Sequence, residues 1–234
     1  MTKAMEAAKQ LSAYINYAIN EKKESVWIAQ REGRCKDSND RTQESLIKML
    51  GLSGGRAILP TIKKLNLLPV SISYEYDPND YLKAREFLMK RNNPDFKKSQ
   101  RDDLLSMETG LLQYKGRVHF TIGKPINPQL EKVSPDADKA EVVKEVCKAV
   151  DSTIYKGYRI YPVNYIALDM LEGTHEYREK YTAEEVEAFK KYITTQLAKN
   201  EDMPNLTDED MQYMRQMMLM MYANPLKNQI AVNC

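Results

Sequence analysis

The densest group of residues able to do chemistry in this 234-residue chain is a short cationic loop. It covers residues 30–36 and reads Gln-Arg-Glu-Gly-Arg-Cys-Lys, which combines three cations with one carboxylate. The guanidinium groups of Arg31 and Arg34 suit bidentate contact with a phosphate, and Gly33 lets the backbone approach such a ligand closely. The loop therefore predicts a phosphate site, although solvated surface loops often have the same composition.

The elements around this loop predict an α/β fold. Apolar residues recur at helical spacing over residues 4–18, and residues 25–29 indicate a buried strand that ends where the loop begins. Two further strands are predicted at residues 67–74 and 117–122 from their alternating apolar side chains. Because ligands bind at the carboxyl ends of strands in an open α/β sheet, we expect the loop to lie at a sheet edge.

Helical patterns fill the rest of the chain. Beyond about residue 135, capping pairs at Thr182 and Thr207 mark the starts of two helices, and the second is rich in methionine, which is typical of an adaptable core. We predict an α/β part over residues 1–130 and a helical region over residues 131–234. Within the first part, helices are also expected at residues 46–50, 57–65, 81–90 and 101–112.

Composition excludes several classes of protein. The 35 basic and 33 acidic residues leave a net charge of +2, which argues against a nucleic-acid binder. The cysteines, at positions 35, 147 and 234, are too scattered for a disulfide framework, and no motif predicts a bound metal or cofactor. The apolar runs are far shorter than the roughly 20 residues that span a bilayer, and the first residues lack the apolar core of a signal peptide. A cytoplasmic location is therefore expected.

Three segments of the chain together resemble the glycerol-3-phosphate and 1-acylglycerol-3-phosphate acyltransferases of phospholipid synthesis. Residues 27–34, Trp-Ile-Ala-Gln-Arg-Glu-Gly-Arg, look like the family block in which an apolar strand runs into Glu-Gly and then Arg. Residues 68–75, Leu-Pro-Val-Ser-Ile-Ser-Tyr-Glu, resemble the following block, and residues 116–126 resemble the strand that ends in Gly-x-Pro-Ile. The segments occur in the family's order and cover about half of the chain.

The resemblance implies a fold, a reaction and its partners. The fold is a mixed sheet flanked by helices, here present in part. The reaction transfers a fatty acyl group from acyl-CoA or acyl carrier protein to a glycerophosphate or lysophospholipid acceptor, with a His-x4-Asp motif that deprotonates the acceptor hydroxyl. The resemblance also implies a membrane surface as a partner and a peripheral location on its inner face.

The catalytic motif itself is missing from this sequence. Five positions after His119 and His175, the chain's two histidines, stand Lys124 and Lys180, so neither histidine forms His-x4-Asp. We therefore assign no catalytic residue and expect little or no transfer by this chain alone. The resemblance implies the later half of a catalytic domain, with Met1 an internal residue of a longer protein or the start of a shortened one.

The family's phosphate-binding role maps to Glu32, Gly33 and Arg34. The family separates its glycine from its arginine by one residue, so Arg31 is a second candidate for the arginine's position. Pro69 matches the proline of the following block and is expected either to shape the pocket or to begin a strand. His119 alternates with apolar residues in a predicted strand and is expected to be structural. Cys35 lies beside Arg34 and Lys36 but has no predicted partnering histidine, so it is expected to be a surface thiol.

Two other functions fit the same residues. A non-catalytic module could hold anionic lipid headgroups or a partner protein through the cationic loop. Alternatively, the C-terminal helices could form an interaction platform while the α/β part serves as a scaffold.

Overall fold

The computed structural model describes residues 3–55, 58–134 and 136–233, and the protein is mostly helical (61%) with a small antiparallel sheet. Ala57, the predicted start of a helix, and Cys234 lie outside the described residues. The regular elements, in chain order, are α1 (Lys3–Asn20), α2 (Glu44–Leu50), α3 (Ile58–Leu65), β1 (Val70–Tyr74), α4 (Asp80–Asn92), α5 (Gln100–Leu112), β2 (Val118–Ile122), α6 (Asn127–Leu130), α7 (Lys139–Lys156), α8 (Pro162–Glu172), α9 (Ala183–Ala198) and α10 (Asp208–Asn233), with 3-10 turns at Leu52–Gly54 and Arg178–Lys180.

The chain divides into two compact units. The first consists of Met1–Arg34, Asp40–Ser71 and Thr121–Gly157, and the second consists of Cys35–Asn39, Ile72–Phe120 and Tyr158–Cys234. Each unit is assembled from separate stretches of chain, so neither coincides with a continuous segment. The predicted division at residue 130 stays a prediction.

In the first unit, α7 packs against α2, α3 and α6, and α1 packs against α2 and α3. Val143 and Val146 on α7 are fully buried, as is Ile62 on α3, because each helix turns an apolar stripe inward. Ser12 joins α1 to the end of α2: its hydroxyl donates to the Leu50 carbonyl at 3.2 Å.

The second unit is organised around α10, which packs against α8, α4 and α9. Met214, Met218 and Met221 on α10 are buried together with Phe189 on α9, which confirms the prediction that the methionines form core. The helices start where their capping residues predict: Thr182 and Glu185 form a capping box at α9. The helical C-terminal region is thus confirmed.

A buried polar cluster joins three helices of the second unit. The Asp80 carboxylate, at the start of α4, accepts hydrogen bonds from the hydroxyls of Tyr222 at 2.7 Å and Tyr192 at 2.8 Å. Asp80 is fully buried, and this burial raises its pKa to about 7. The Gln196 amide also donates to the Tyr192 hydroxyl, at 2.7 Å.

The two strands confirm two of the three strand predictions. β1 and β2 pair with each other, and the ladder continues past their ends, where the Glu75 amide donates to the Arg117 carbonyl and the Gly123 amide to the Pro69 carbonyl, both at 2.9 Å. Both strands alternate apolar with polar side chains, as their sequences predict.

The predicted strand at residues 25–29 is wrong. These residues are irregular and exposed, and the Trp27 side chain is 74% exposed. A strand requires hydrogen bonds to a neighbouring strand. Among the described residues β1 and β2 are the only strands, and they pair with each other. The cationic loop therefore does not follow a strand, and its predicted place at the end of one is also corrected.

Candidate functional site

The segment over residues 30–43, which begins with the cationic loop, is closed by the side chain and backbone of Gln43. The Gln43 backbone N–H donates to the Gln30 carbonyl at 2.9 Å, and the Gln43 side-chain oxygen accepts from the Glu32 backbone N–H at 2.8 Å. Gly33, the residue after Glu32, has a φ of +73°, a backbone conformation that glycine adopts without strain. The two ends of residues 30–43 are thereby brought together.

This closure forms an open cleft of about 420 Å³ in the first unit. Its lining includes two guanidinium groups, from the partly buried Arg31 and the exposed Arg41, and one carboxylate, from Glu32. Thr42 and Gln43 complete the lining. The cleft is therefore cationic on balance, and its volume lies in the range of about 300–1,000 Å³ that is typical of small-molecule sites.

Helix α7 holds the far side of the cleft in place. The Thr42 amide and hydroxyl both donate to Asp151 Oδ1, at 2.8 Å and 2.5 Å. One turn further on, the Tyr155 hydroxyl donates to the Asp40 carbonyl. Burial raises the pKa of Asp151, while the two bonds from Thr42 oppose that rise. Arg41 is thus flanked on both sides by residues bound to α7.

The structure brings together some of the predicted site residues. Arg31 and Glu32 line the cleft, and Gly33 forms the turn beside them. Arg34 is exposed and does not line the cleft. Pro69 is buried immediately before β1 and does not line this cleft, so it stands at the start of a strand.

Sequence reasoning missed Arg41, Thr42 and Gln43. These residues end a polar loop that runs over residues 30–43, and Arg41 is a further arginine close behind the cationic motif. No local pattern in the sequence marks these residues, because their place beside Arg31 and Glu32 depends on the hydrogen bonds that Gln43 makes with Gln30 and Glu32.

The chain's two histidines lie far along the sequence from the cleft residues and in the second unit. His119, on β2, and His175 are both exposed. Cys147 is buried in the first unit, and burial raises its pKa to about 11, which makes its thiol a poor nucleophile at neutral pH. The lining of the cleft consequently offers anion binding and hydrogen bonding, with no histidine to act as a base.

The part of the chain that the structure describes contains no group of three or more histidine, cysteine, aspartate or glutamate side chains placed to hold a metal ion. No helix in those residues has the length and apolar character needed to cross a membrane.

Comparison with known proteins assigns no family to this chain. The sequence matches no protein-family model, and neither the curated proteins nor the solved structures include a match. Any function must therefore be argued from the three sequence segments and from the cleft.

Proposed function

We propose that this chain is the acceptor-binding part of a phospholipid-synthesis acyltransferase. The reaction would move a fatty acyl group from acyl-CoA or acyl carrier protein to a glycerophosphate or lysophospholipid acceptor. The observation that carries the proposal is that Arg31, in the segment resembling the family's phosphate-binding block, lines one cleft with Arg41.

The side chains of the cleft suit the two ends of a glycerophosphate. The planar guanidinium groups of Arg31 and Arg41 donate paired hydrogen bonds, which match the oxygens of a phosphate. The Glu32 carboxylate only accepts, so it is suited to a glycerol hydroxyl and disfavours a second anionic group. The cleft would therefore bind a phosphate that carries a hydroxylated substituent more tightly than a free dicarboxylate.

The chemical step needs a base that the proposal places outside this sequence. In that step the acceptor hydroxyl loses a proton, its oxygen attacks the thioester carbonyl, and the thiol leaves after the carbon–sulfur bond breaks. A His-x4-Asp motif would take the proton from the hydroxyl and return it to the departing sulfur. The residues of this chain bind and orient the acceptor, and β1 and β2 would belong to the family's larger mixed sheet.

An acyl-transfer assay tests this proposal. Labelled acyl-CoA and glycerol 3-phosphate are incubated with the chain alone and with the chain joined to a segment that supplies His-x4-Asp. We expect little or no product from the chain alone and turnover from the joined protein. In the joined protein, Arg41→Ala should raise KM for glycerol 3-phosphate about tenfold, because it removes one charge-assisted contact. Continued inactivity of the joined protein, with correct folding verified by circular dichroism, would count against an acyltransferase.

A second candidate, a non-catalytic module for anionic lipid headgroups, is favoured by the exposed apolar residues before the loop. Val26, Trp27 and Ile28 are all exposed, and cationic residues lie on both sides of them in the sequence. Such a combination favours the interface of an anionic bilayer, on the inner face of the membrane.

The single tryptophan of the chain makes this candidate easy to test. Insertion of Trp27 into vesicles containing phosphatidylglycerol would shift its fluorescence to the blue, while phosphatidylcholine vesicles would not. Lipid binding without acyl transfer by the joined protein would favour the module. An unchanged spectrum with both vesicles would exclude insertion of this segment.

A further inference from the structure

Helix α5 of the second unit turns its apolar side chains toward solvent. Its five large apolar side chains are 46–78% exposed: Leu104, Leu105, Met107, Leu111 and Leu112. The side chains that α5 buries are the small polar ones of Ser106 and Thr109. Amphipathic helices of globular proteins normally have the opposite arrangement, with the apolar stripe facing the core. An exposed apolar stripe of this kind favours a partner that covers it.

A close approach on the buried side of α5 fixes this orientation. Gly110 lies on the same side as Ser106, four residues earlier. A Cβ at Gly110 would lie 2.9 Å from the side-chain nitrogen of Asn79, which precedes α4. The glycine therefore lets α5 lie close to the start of α4. A rotation of α5 that buried its leucines would separate Gly110 from Asn79.

Two charged residues interrupt the exposed stripe at regular spacing. Arg101 and Glu108 are seven residues apart, and both side chains are exposed. Residues three, four and seven positions apart lie on one side of a helix. The exposed stripe therefore combines two charges with two leucine pairs, in the order Arg101, Leu104, Leu105, Glu108, Leu111 and Leu112.

We propose that the exposed face of α5 binds a second copy of this chain, with the two α5 helices antiparallel across a two-fold axis beside Leu104 and Leu105. In this register each Arg101 lies beside Glu108 of the second copy, and each Leu104 faces Leu105 of the second copy. An axis at Glu108, or a parallel pair of helices, would bring two carboxylates together instead. The positions of the opposite charges therefore select this antiparallel register.

The size and charge of the face suit a second copy of the chain. At these exposures each apolar side chain offers roughly 100 Å², so the five offer about 500 Å² per copy. With the charged flanks, two copies would bury on the order of 1,200 Å², the lower end of specific interfaces, which predicts a dissociation constant on the order of 10 µM. An anionic bilayer fits less well, because α5 carries three carboxylates against one cation.

Sedimentation velocity of the full chain between about 1 and 200 µM tests the proposal. We expect a shift from monomer to dimer across this range. Leu105→Glu should raise the dissociation constant at least about tenfold, because it places carboxylates in the apolar centre of the interface. Leu68→Glu is the matched control: Leu68 is also 46% exposed but belongs to the first unit, so its replacement should change the constant less than about twofold.

Exchange of the two charges identifies the partner as a second copy. Glu108→Arg brings cations together across the interface and should raise the dissociation constant about tenfold. The double variant Arg101→Glu, Glu108→Arg restores opposite charges and should return the constant to within about threefold of the wild type. Because both positions are exposed, these variants also test the proposal if Leu105→Glu fails to fold, as judged by circular dichroism.

Three results would overturn the proposal. The first is a chain that stays monomeric up to about 200 µM. The second is a dimer that Leu105→Glu leaves intact, or that the double charge exchange does not restore. The third is a monomeric chain that sediments with phosphatidylcholine vesicles and loses this binding in Leu105→Glu, which would assign the face to a bilayer.

Discussion

Replacement of Thr42 by valine should loosen the cleft without changing any of its charges. Valine keeps the shape of threonine and retains the backbone amide that donates to Asp151 at 2.8 Å, but it removes the hydroxyl that donates at 2.5 Å. A hydrogen bond to a charged group contributes about 1.5–3 kcal/mol. Because Asp151 is only partly buried, we expect a loss near the lower end, about 1.5 kcal/mol in the free energy of unfolding.

The effect of this substitution should depend on pH. The pKa of Asp151 is raised in the folded protein, so ionisation of Asp151 lowers stability as pH rises from the unfolded pKa through the folded one. The Thr42 hydroxyl offsets part of that loss by stabilising the carboxylate. The loss of unfolding free energy caused by Thr42→Val should therefore be largest at about pH 7 and smaller at about pH 4, where more of the Asp151 population is protonated.

Urea unfolding followed by circular dichroism measures both values. Thr195→Val is the matched control, because its exposed hydroxyl donates only to the Lys191 carbonyl of its own helix, at 2.9 Å. That control should stay within about 0.5 kcal/mol of the wild type. Equal losses of unfolding free energy for Thr42→Val and Thr195→Val, or a loss for Thr42→Val that grows as pH falls, would refute this account of the hydrogen bond between Thr42 and Asp151.

The other predictions concern the second unit. The pKa of Asp80 is raised to about 7, so its ionisation lowers stability between about pH 4 and pH 7, by at most on the order of 4 kcal/mol; Asp80→Asn should flatten that decline in unfolding experiments across this range. Asp169 behaves in the opposite way: burial would raise its pKa, but hydrogen bonds, including those from Tyr181 and Thr174, outweigh burial and lower it. The ionised Asp169 therefore stabilises the fold, and this stabilisation is lost only as pH falls through the lowered pKa, so Asp169→Asn serves as the control. Phe189→Ala should cost about 3–5 kcal/mol because the ring is fully buried, and Phe120→Ala, with a ring that is 59% exposed, should cost far less in the same denaturation assay.

Most of the helices and the paired strands could be predicted because their signals are local. The apolar stripe of α1 and the alternation in β1 and β2 are visible within a few neighbouring residues, and a capping box at Thr182 fixes the start of α9. Residues 25–29 have the composition of a strand, but pairing depends on another segment of chain. Local composition does not reveal whether such a segment is present.

The residues of the candidate site also fall into two groups, those that the sequence could predict and those that it could not. Arg31 and Glu32 could be predicted, since a dense cationic motif is visible in the sequence. Arg41 could not, because its place opposite Arg31 depends on closure of the loop by Gln43 and on the contact of Thr42 with Asp151, 109 residues away. Contacts at that sequence separation leave no periodic signal.

Binding of glycerol 3-phosphate to the isolated chain tests the central claim most directly. Calorimetric titration of the wild type, Arg31→Ala, Arg41→Ala and the double variant at about 0.1 M salt forms a cycle, with glycerol as the ligand that lacks the phosphate. We predict that glycerol 3-phosphate binds and that glycerol does not. Each single variant should lose about tenfold in affinity for glycerol 3-phosphate. The two losses of affinity should not be additive in the double variant, because both guanidinium groups contact one phosphate. Wild-type affinity in both single variants, or equal binding of glycerol, would contradict a phosphate cradle between these arginines.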